Sequence, residues 1–152
     1  MDLSSGAPPL ERWPLPGLLR GARAVFGSVI REALAGADCD DLPPNGPYVI
    51  GAIARTSAPL SAIIRQLGVS KQAAGQLVDT LVIRGYLDRS ADPGDRRRLV
   101  LRLTKRGEEA ATVIRSAVDS LEAEIEEAMG HERVRVAREV LAGVIRRGQA
   151  DA

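Results

Sequence analysis

Polar side chains at helical spacing in one stretch of this chain have the chemistry to recognise the edges of base pairs. Ser70, Lys71, Gln72, Gly75 and Gln76 occupy the outward positions of a predicted helix. A glutamine can form two hydrogen bonds with adenine in the major groove, and lysine suits phosphate or guanine. The pattern therefore indicates a helix surface that contacts double-stranded DNA.

Three consecutive arginines follow about twenty residues later, beside a Pro-Gly turn. The group consists of Asp95, Arg96, Arg97 and Arg98. Arginine is attracted into a narrow minor groove and to phosphates, whereas an aspartate repels phosphate. Asp95 fits such a tip as the carboxylate that orients an arginine, because the two groups pair in a bidentate geometry. The alternative is an ordinary charged turn.

Gly75 is unusual in the middle of a predicted helix. Glycine costs about 1 kcal/mol relative to alanine at such a position. Close approach of the backbone to DNA would explain it, and so would tight packing within the protein or sequence drift. The sequence leaves all three explanations open.

The elements that position these residues form a helix-turn-helix followed by a hairpin. Residues 60–85 have two helical runs with a sharp turn at Gly68, and Ser70 stands where a helix N-cap belongs. Residues 86–89 and 98–103 read as two strands, because apolar and polar side chains alternate in the second run. Arginines at the connecting turn then lie at the tip of a β-hairpin.

Helices are predicted on both sides of this unit. Apolar residues recur at helical spacing over residues 15–35, about 48–55, about 105–129 and about 132–147. Residues 36–47 read as a loop, and residues 1–14, rich in Pro, Gly and Ser, are predicted to be flexible. The fold class is therefore mainly α with a small β-hairpin wing, in a single domain over residues 15–152.

Composition limits the possible functions. The chain has 152 residues, a net charge of +1 and a globular balance of 45% hydrophobic and 27% charged residues. No apolar run could span a membrane, no secretory signal is visible, and the single cysteine fits a reducing compartment, so we expect a cytoplasmic protein. There is no phosphate-binding loop, nucleophile elbow or His/Cys cluster, so we expect no enzyme activity, catalytic residue, cofactor or metal site.

Charge is unevenly distributed along the chain. Basic residues dominate residues 84–106, and acidic residues dominate residues 108–127. A local basic field matters more to a polyanion than the total charge. The acidic stretch is best interpreted as a solvated helix face.

Several motifs resemble the MarR family of bacterial winged-helix regulators. They are Leu67-Gly68-Val69-Ser70, then Arg84-Gly85-Tyr86-Leu87, and the wing signature Asp95-x-Arg97 followed by Leu103-Thr104-x-x-Gly107. The resemblance covers about residues 60–107 strongly, while the other helices match in placement and length. It implies a winged helix-turn-helix DNA-binding region at 48–104 and dimerisation helices at 15–35 and 105–147. Family members often carry Thr, Ser or Arg where this chain has Gly75.

The resemblance also implies a homodimer that binds a pseudo-palindromic operator, more often as a repressor. It suggests release from DNA by a small-molecule effector that binds between the dimerisation helices and the DNA-binding region. Trp13, Phe26 and Tyr48 are the aromatic candidates for that site, although ordinary core packing explains these residues as well. Cys39 invites a redox-sensing interpretation, but three neighbouring aspartates disfavour the reactive thiolate. The competing hypothesis is a winged helix that binds protein, for which three wing arginines beside Lys71 have no evident use.

Overall fold

Long helices at both ends of the chain enclose a smaller helical unit with a two-stranded hairpin. The computed structural model describes residues 9–56, 63, 65, 68–91 and 99–150, without the side chains of 91, 99, 149 and 150. Its elements are, in chain order, a 3₁₀ turn at Leu10–Arg12, α1 at Leu15–Ala35, α2 at Gly46–Arg55, α3 at Lys71–Ile83, β1 at Leu87–Ala91, β2 at Leu99–Leu103, α4 at Lys105–Met129 and α5 at His131–Ala150.

Most predicted elements are present with small shifts at their ends. α2 begins two residues before its predicted start, because Pro47 is accommodated in the first helical turn, after Asn45 in a left-handed conformation. α5 begins one residue earlier than predicted and ends three residues later. The N-terminal segment predicted to be flexible includes the 3₁₀ turn. The first helix of the predicted helix-turn-helix falls mainly outside the described residues, although Ile63 and Arg65 are helical.

The core lies where α4 packs against α1 and α2 and where α3 meets the hairpin. Its buried side chains are Leu34, Cys39, Val49, Ile50, Leu81, Tyr86, Leu87, Ala110, Ala111 and Ile114. Each large apolar side chain buried there contributes about 1.5–3 kcal/mol. The outward face of α3 is thereby held in a fixed orientation relative to the long helices.

The hairpin joins the core through a tightly bonded junction. β1 and β2 are antiparallel, with Leu87 opposite Leu103 and Ala91 opposite Leu99. Gly85 turns the chain out of α3 with a φ of 74°, a conformation that favours glycine. The Thr104 hydroxyl donates to the Gly85 carbonyl at 2.5 Å and accepts from the Gly107 amide at 3.1 Å, so it caps α4.

The last helix contributes little to the core of the single chain. None of the α5 side chains from 131 to 148 is buried. Apolar side chains are exposed along one stripe, at Val136, Val140, Leu141, Val144 and Ile145. An amphipathic helix of this kind normally packs its apolar face against another surface. In the part of the chain that the structure describes, no helix is long and apolar enough to cross a bilayer.

Candidate nucleic-acid interface

α3, the second helix of the predicted helix-turn-helix, presents the polar face predicted from the sequence. Lys71, Gln72, Gly75 and Gln76 are exposed, while Ala74, Val78 and Leu81 on the opposite side are buried. Burial of these three side chains fixes the rotation of the helix. The two glutamines and the lysine therefore point away from the protein on one surface, and Asp79 is exposed with them.

Ser70 and Gly75 occupy structurally distinct positions on this helix. The Ser70 hydroxyl accepts a hydrogen bond from the Ala73 amide at 3.2 Å and so forms the helix N-cap. A Cβ built on Gly75 would meet no described atom within 4 Å. Packing against the described part of the chain therefore does not explain the glycine, and two of the three earlier explanations remain.

An ion pair connects α3 to the base of the wing. Arg89 on β1 is paired with Asp79 on α3, and both side chains are about half exposed. The pair neutralises the carboxylate that the polar face of α3 would otherwise present to a phosphate backbone. It also ties the orientation of the hairpin to that of the helix.

The tip of the wing lies outside the described residues. Asp95, Arg96, Arg97 and Arg98, predicted to contact DNA, all belong to it, so their positions stay predictions. Of the hairpin, the structure describes the two strands, and three residues separate β1 from the end of α3.

A large cleft lies between α1, α2 and α4. Its volume is about 1450 Å³. Its apolar lining includes Phe26, Ile30, Leu34, Leu42, Tyr48, Ile114 and Val118. Two of the three predicted effector residues, Phe26 on α1 and Tyr48 on α2, thus both line this cleft. Trp13 does not belong to the described lining and instead has its ring 3.5 Å from the Cβ position of Gly17.

Arginines give the cleft a positive rim. Arg20, Arg23, Arg31, Arg55 and Arg115 line it, against Asp40 and Asp119. Within the described part of the chain, none of these five guanidinium groups lies within 4.0 Å of a carboxylate, although Arg23 donates to the Asn45 side chain at 2.7 Å. Three of them follow one face of α1, a signal that the sequence already contained.

Between the cleft and α3, Asp41, Tyr86 and Arg106 form a polar cluster, which we call the junction cluster. The buried Tyr86 hydroxyl donates to the Asp41 carboxylate at 2.5 Å, and Arg106 donates to the same carboxylate at 3.0 Å. The bond from Tyr86, assisted by Arg106, lowers the pKa of Asp41. Burial, together with the bond to Asp41, raises the pKa of Tyr86, which keeps the hydroxyl protonated as a donor.

Sequence reasoning missed this cluster, since Asp41 and Arg106 are 65 positions apart and no local pattern relates them. Among the described residues, no group of three or more His, Cys, Asp or Glu side chains is arranged to bind a metal ion. His131 is paired with Glu126.

Comparison with protein families matches the central part of the chain. The model of the MarR family matches residues 40–98, which include α2, α3 and β1. No curated protein matches the chain significantly in sequence.

Solved structures match over nearly the whole chain. The transcriptional repressor CouR, bound to a 23-mer DNA duplex, has 22% identity and a TM-score of 0.66, covering 87% of this chain and 92% of CouR. Ligand-free NadR has 21% identity and a TM-score of 0.74, covering 91% and 98%. The transcriptional regulator Tm0710 from Thermotoga maritima has 25% identity and a TM-score of 0.57, covering 90% and 97%. This chain shares their fold.

Proposed function

We propose that the chain, whose residues 40–98 match the model of the MarR family, is a winged-helix transcriptional regulator of that family and acts as a homodimeric repressor of a pseudo-palindromic DNA operator. The observation that carries the proposal is the exposed face of α3, with Lys71, Gln72 and Gln76 beside the wing base. Such a protein would act in the cytoplasm, where bacterial DNA lies.

Direct readout would come from the glutamines of α3 in the major groove, and the wing would reach the neighbouring minor groove. Gln72 and Gln76 can each bond an adenine edge, whereas Lys71 suits a phosphate. The structure of CouR was determined on a DNA duplex, and this chain has the same fold. A polar α3 face paired with an arginine-rich wing is what such a binding mode requires.

Two copies of the chain would supply the two heads that a palindromic site needs. The exposed apolar stripe of α5, with Val140 52% and Ile145 59% exposed, leaves a large apolar surface without a partner in the described part of the chain. Packing this stripe against a second copy would bury it around a two-fold axis. The recognition helices would then enter half-sites about 10 bp apart.

The large cleft supports regulation by a small anionic effector. Phe26 and Tyr48 offer a surface for an apolar ring, and the five rim arginines offer bidentate partners for a carboxylate. An effector bound there would favour one spacing of the heads and change DNA affinity only through its preference for that state.

DNA binding is tested by selecting duplexes with the purified protein and titrating them by fluorescence anisotropy at several salt concentrations. Arg97→Ala should lower affinity about tenfold, or roughly 1.4 kcal/mol, and reduce the salt slope by about one. Gln76→Ala should instead reduce discrimination between selected and scrambled duplexes. Arg146→Ala, on the face of α5 opposite the apolar stripe, is the control and should change neither.

Equal, weak binding of selected and scrambled duplexes by the wild type would overturn the proposal and favour a protein-binding module. Unchanged affinity in Arg97→Ala would remove the wing from the interface.

Dimerisation is tested by sedimentation equilibrium. Val140→Asp should dissociate the dimer, because a charge would be buried in an apolar interface. Arg146→Asp is the matched control and should leave the dimer intact. A wild-type chain that sediments as a monomer would contradict the proposal.

The effector site is tested with benzoate as an aromatic carboxylate and benzamide as its neutral counterpart. Benzoate should weaken binding to the selected duplex, benzamide should not, and Arg31→Gln should reduce the effect of benzoate. Identical effects of the two compounds would rule out recognition by charge.

A further inference from the structure

Arg106 connects three separate segments of the chain. Its guanidinium donates to the Arg84 carbonyl at 2.6 Å and to the Asp41 carboxylate at 3.0 Å. The same group stacks over the ring of Tyr86, with 4.3 Å between the guanidinium carbon and the ring centroid. One side chain near the start of α4 therefore holds both the end of α3 and the loop before α2.

The Arg84 carbonyl is the point where this network contacts the end of α3. Arg84 is the C-cap of α3, and its amide bonds back to the Thr80 carbonyl at 2.9 Å. The Tyr86 amide in turn bonds to the Leu81 carbonyl at 2.9 Å. Displacement of Arg106 would therefore act directly on the last turn of the helix that carries Gln72 and Gln76.

The loop at residues 36–45 is the point where the network reaches the cleft. Cys39, Asp40 and Leu42 line the cleft, while Asp41, between them, points into the junction cluster. Asp38 has a φ of 55°, and its carbonyl accepts from Arg106 at 3.4 Å. Neighbouring residues of this short loop thus face the cleft and the junction cluster, so a ligand that displaces the cleft wall acts on residues adjacent to Asp41.

We propose that the junction cluster couples the cleft to the recognition helix, with Arg106 as the positioning residue that links the Asp38–Asp41 loop to the end of α3. This coupling rests on the proposed function, because its output is DNA binding. A ligand that moves the loop would change the bonds of Arg106, and by linkage DNA bound to α3 must stabilise one position of the loop. The effect in this second direction can be measured without knowing the effector.

Alkylation of Cys39 can be used to measure opening of this loop. It is the only cysteine in the sequence, it is 4% exposed, and it lies between Asp38 and Asp41. Alkylation by neutral iodoacetamide requires the loop to open. The rate of alkylation, followed by mass spectrometry, therefore measures how often it opens.

The experiment compares alkylation of the full chain with and without saturating amounts of a selected duplex. In the wild type, DNA should slow alkylation roughly fivefold or more, the lower end of typical allosteric couplings. In Arg106→Gln the DNA-dependent ratio should fall close to one, although anisotropy still detects DNA binding. Arg146→Gln is the matched control and should keep the wild-type ratio. If Arg106 had only a structural role, Arg106→Gln would raise the alkylation rates with and without DNA by the same factor and leave their ratio unchanged.

Asp41→Asn provides a second test if Arg106→Gln does not fold, because it keeps an acceptor for Tyr86 and removes the charge that holds Arg106. Its ratio should also fall towards one. DNA binding by the wild type without any change in alkylation, or an undiminished ratio in both variants, would overturn the coupling alone. Absence of sequence-specific DNA binding by the wild type would overturn the coupling and the proposed function together.

Discussion

Arg89 at the base of the hairpin forms an ion pair with Asp79 on α3. Asp79 shares the exposed face of α3 with Gln72 and Gln76, and Arg89 lies opposite Leu101 in the hairpin. The pair thus joins the two parts that would enter neighbouring grooves. It also places a carboxylate, with its charge compensated, on a surface that would face phosphates.

Arg89→Ala should lower the affinity for a selected duplex by roughly tenfold, because it removes a cation and leaves Asp79 to repel the phosphates. Asp79→Asn in the same chain should restore part of the loss. The measurement is a double-mutant cycle of DNA affinity by anisotropy. Thermodynamic stability should change by less than about 1 kcal/mol, since the pair is half exposed. Strictly additive effects on DNA affinity would show that the pair plays no part at the interface.

Local signals in the sequence are sufficient to predict most of the helices. α1 and α4 have the predicted bounds, 15–35 and 105–129, because apolar residues recur at helical spacing along both. The polar face of α3 was also predicted correctly, since the buried positions of Ala74, Val78 and Leu81 follow helical spacing. Elements with strong local signals need no tertiary information.

The long-range contacts could not be predicted in this way. The Arg106–Asp41 pair joins positions 65 apart, and the Asp79–Arg89 pair depends on the angle between a helix and a strand. The motif Leu103-Thr104-x-x-Gly107 is a local pattern in the sequence, but its physical reason lies in the packing of Gly107 against Tyr86 and Leu103. Residue type alone does not show which charges meet.

Gly107 in that motif is required by the backbone of Tyr86. A Cβ on Gly107 would lie 2.2 Å from the Tyr86 carbonyl oxygen and 3.1 Å from the Leu103 side chain. Gly107→Ala should therefore lower the free energy of unfolding by about 3 kcal/mol, as overpacking against backbone does. Urea unfolding followed by circular dichroism measures the change. A loss below that of a typical exposed substitution would mean that α4 can shift away from the hairpin.

Acid should weaken the junction cluster in a defined range of pH. Tyr86 and Arg106 lower the pKa of Asp41 below its ordinary value of 3.8, so the folded state favours the carboxylate. The resulting contribution to the free energy of unfolding is complete at pH values above the pKa of Asp41 in the unfolded state. It is lost as the pH falls through the lower pKa of the folded state. We expect Asp41→Asn to cost about 1 kcal/mol at pH 7, since the carboxylate is partly exposed.

Urea unfolding of wild type and Asp41→Asn between pH 7 and pH 3 measures this difference. It should be constant from pH 7 to 5 and shrink as pH falls below about 3.8. Asp88→Asn serves as the control for loss of one surface charge. A difference that stays constant down to pH 3 would show that the carboxylate of Asp41 has no special stability in the fold.

Gly75→Ala separates helix stability from DNA affinity. A Cβ at this position meets no described atom within 4 Å, so alanine should stabilise the free protein by up to about 1 kcal/mol. DNA affinity should nevertheless fall roughly tenfold, because the added methyl group would occupy the space into which a close DNA backbone or base edge fits. Urea unfolding and anisotropy on the same preparation measure the two effects, and Gly107→Ala, which should destabilise, serves as the contrasting helical glycine. Higher stability with unchanged DNA affinity would assign Gly75 to sequence drift and leave base recognition on α3 to Gln72 and Gln76.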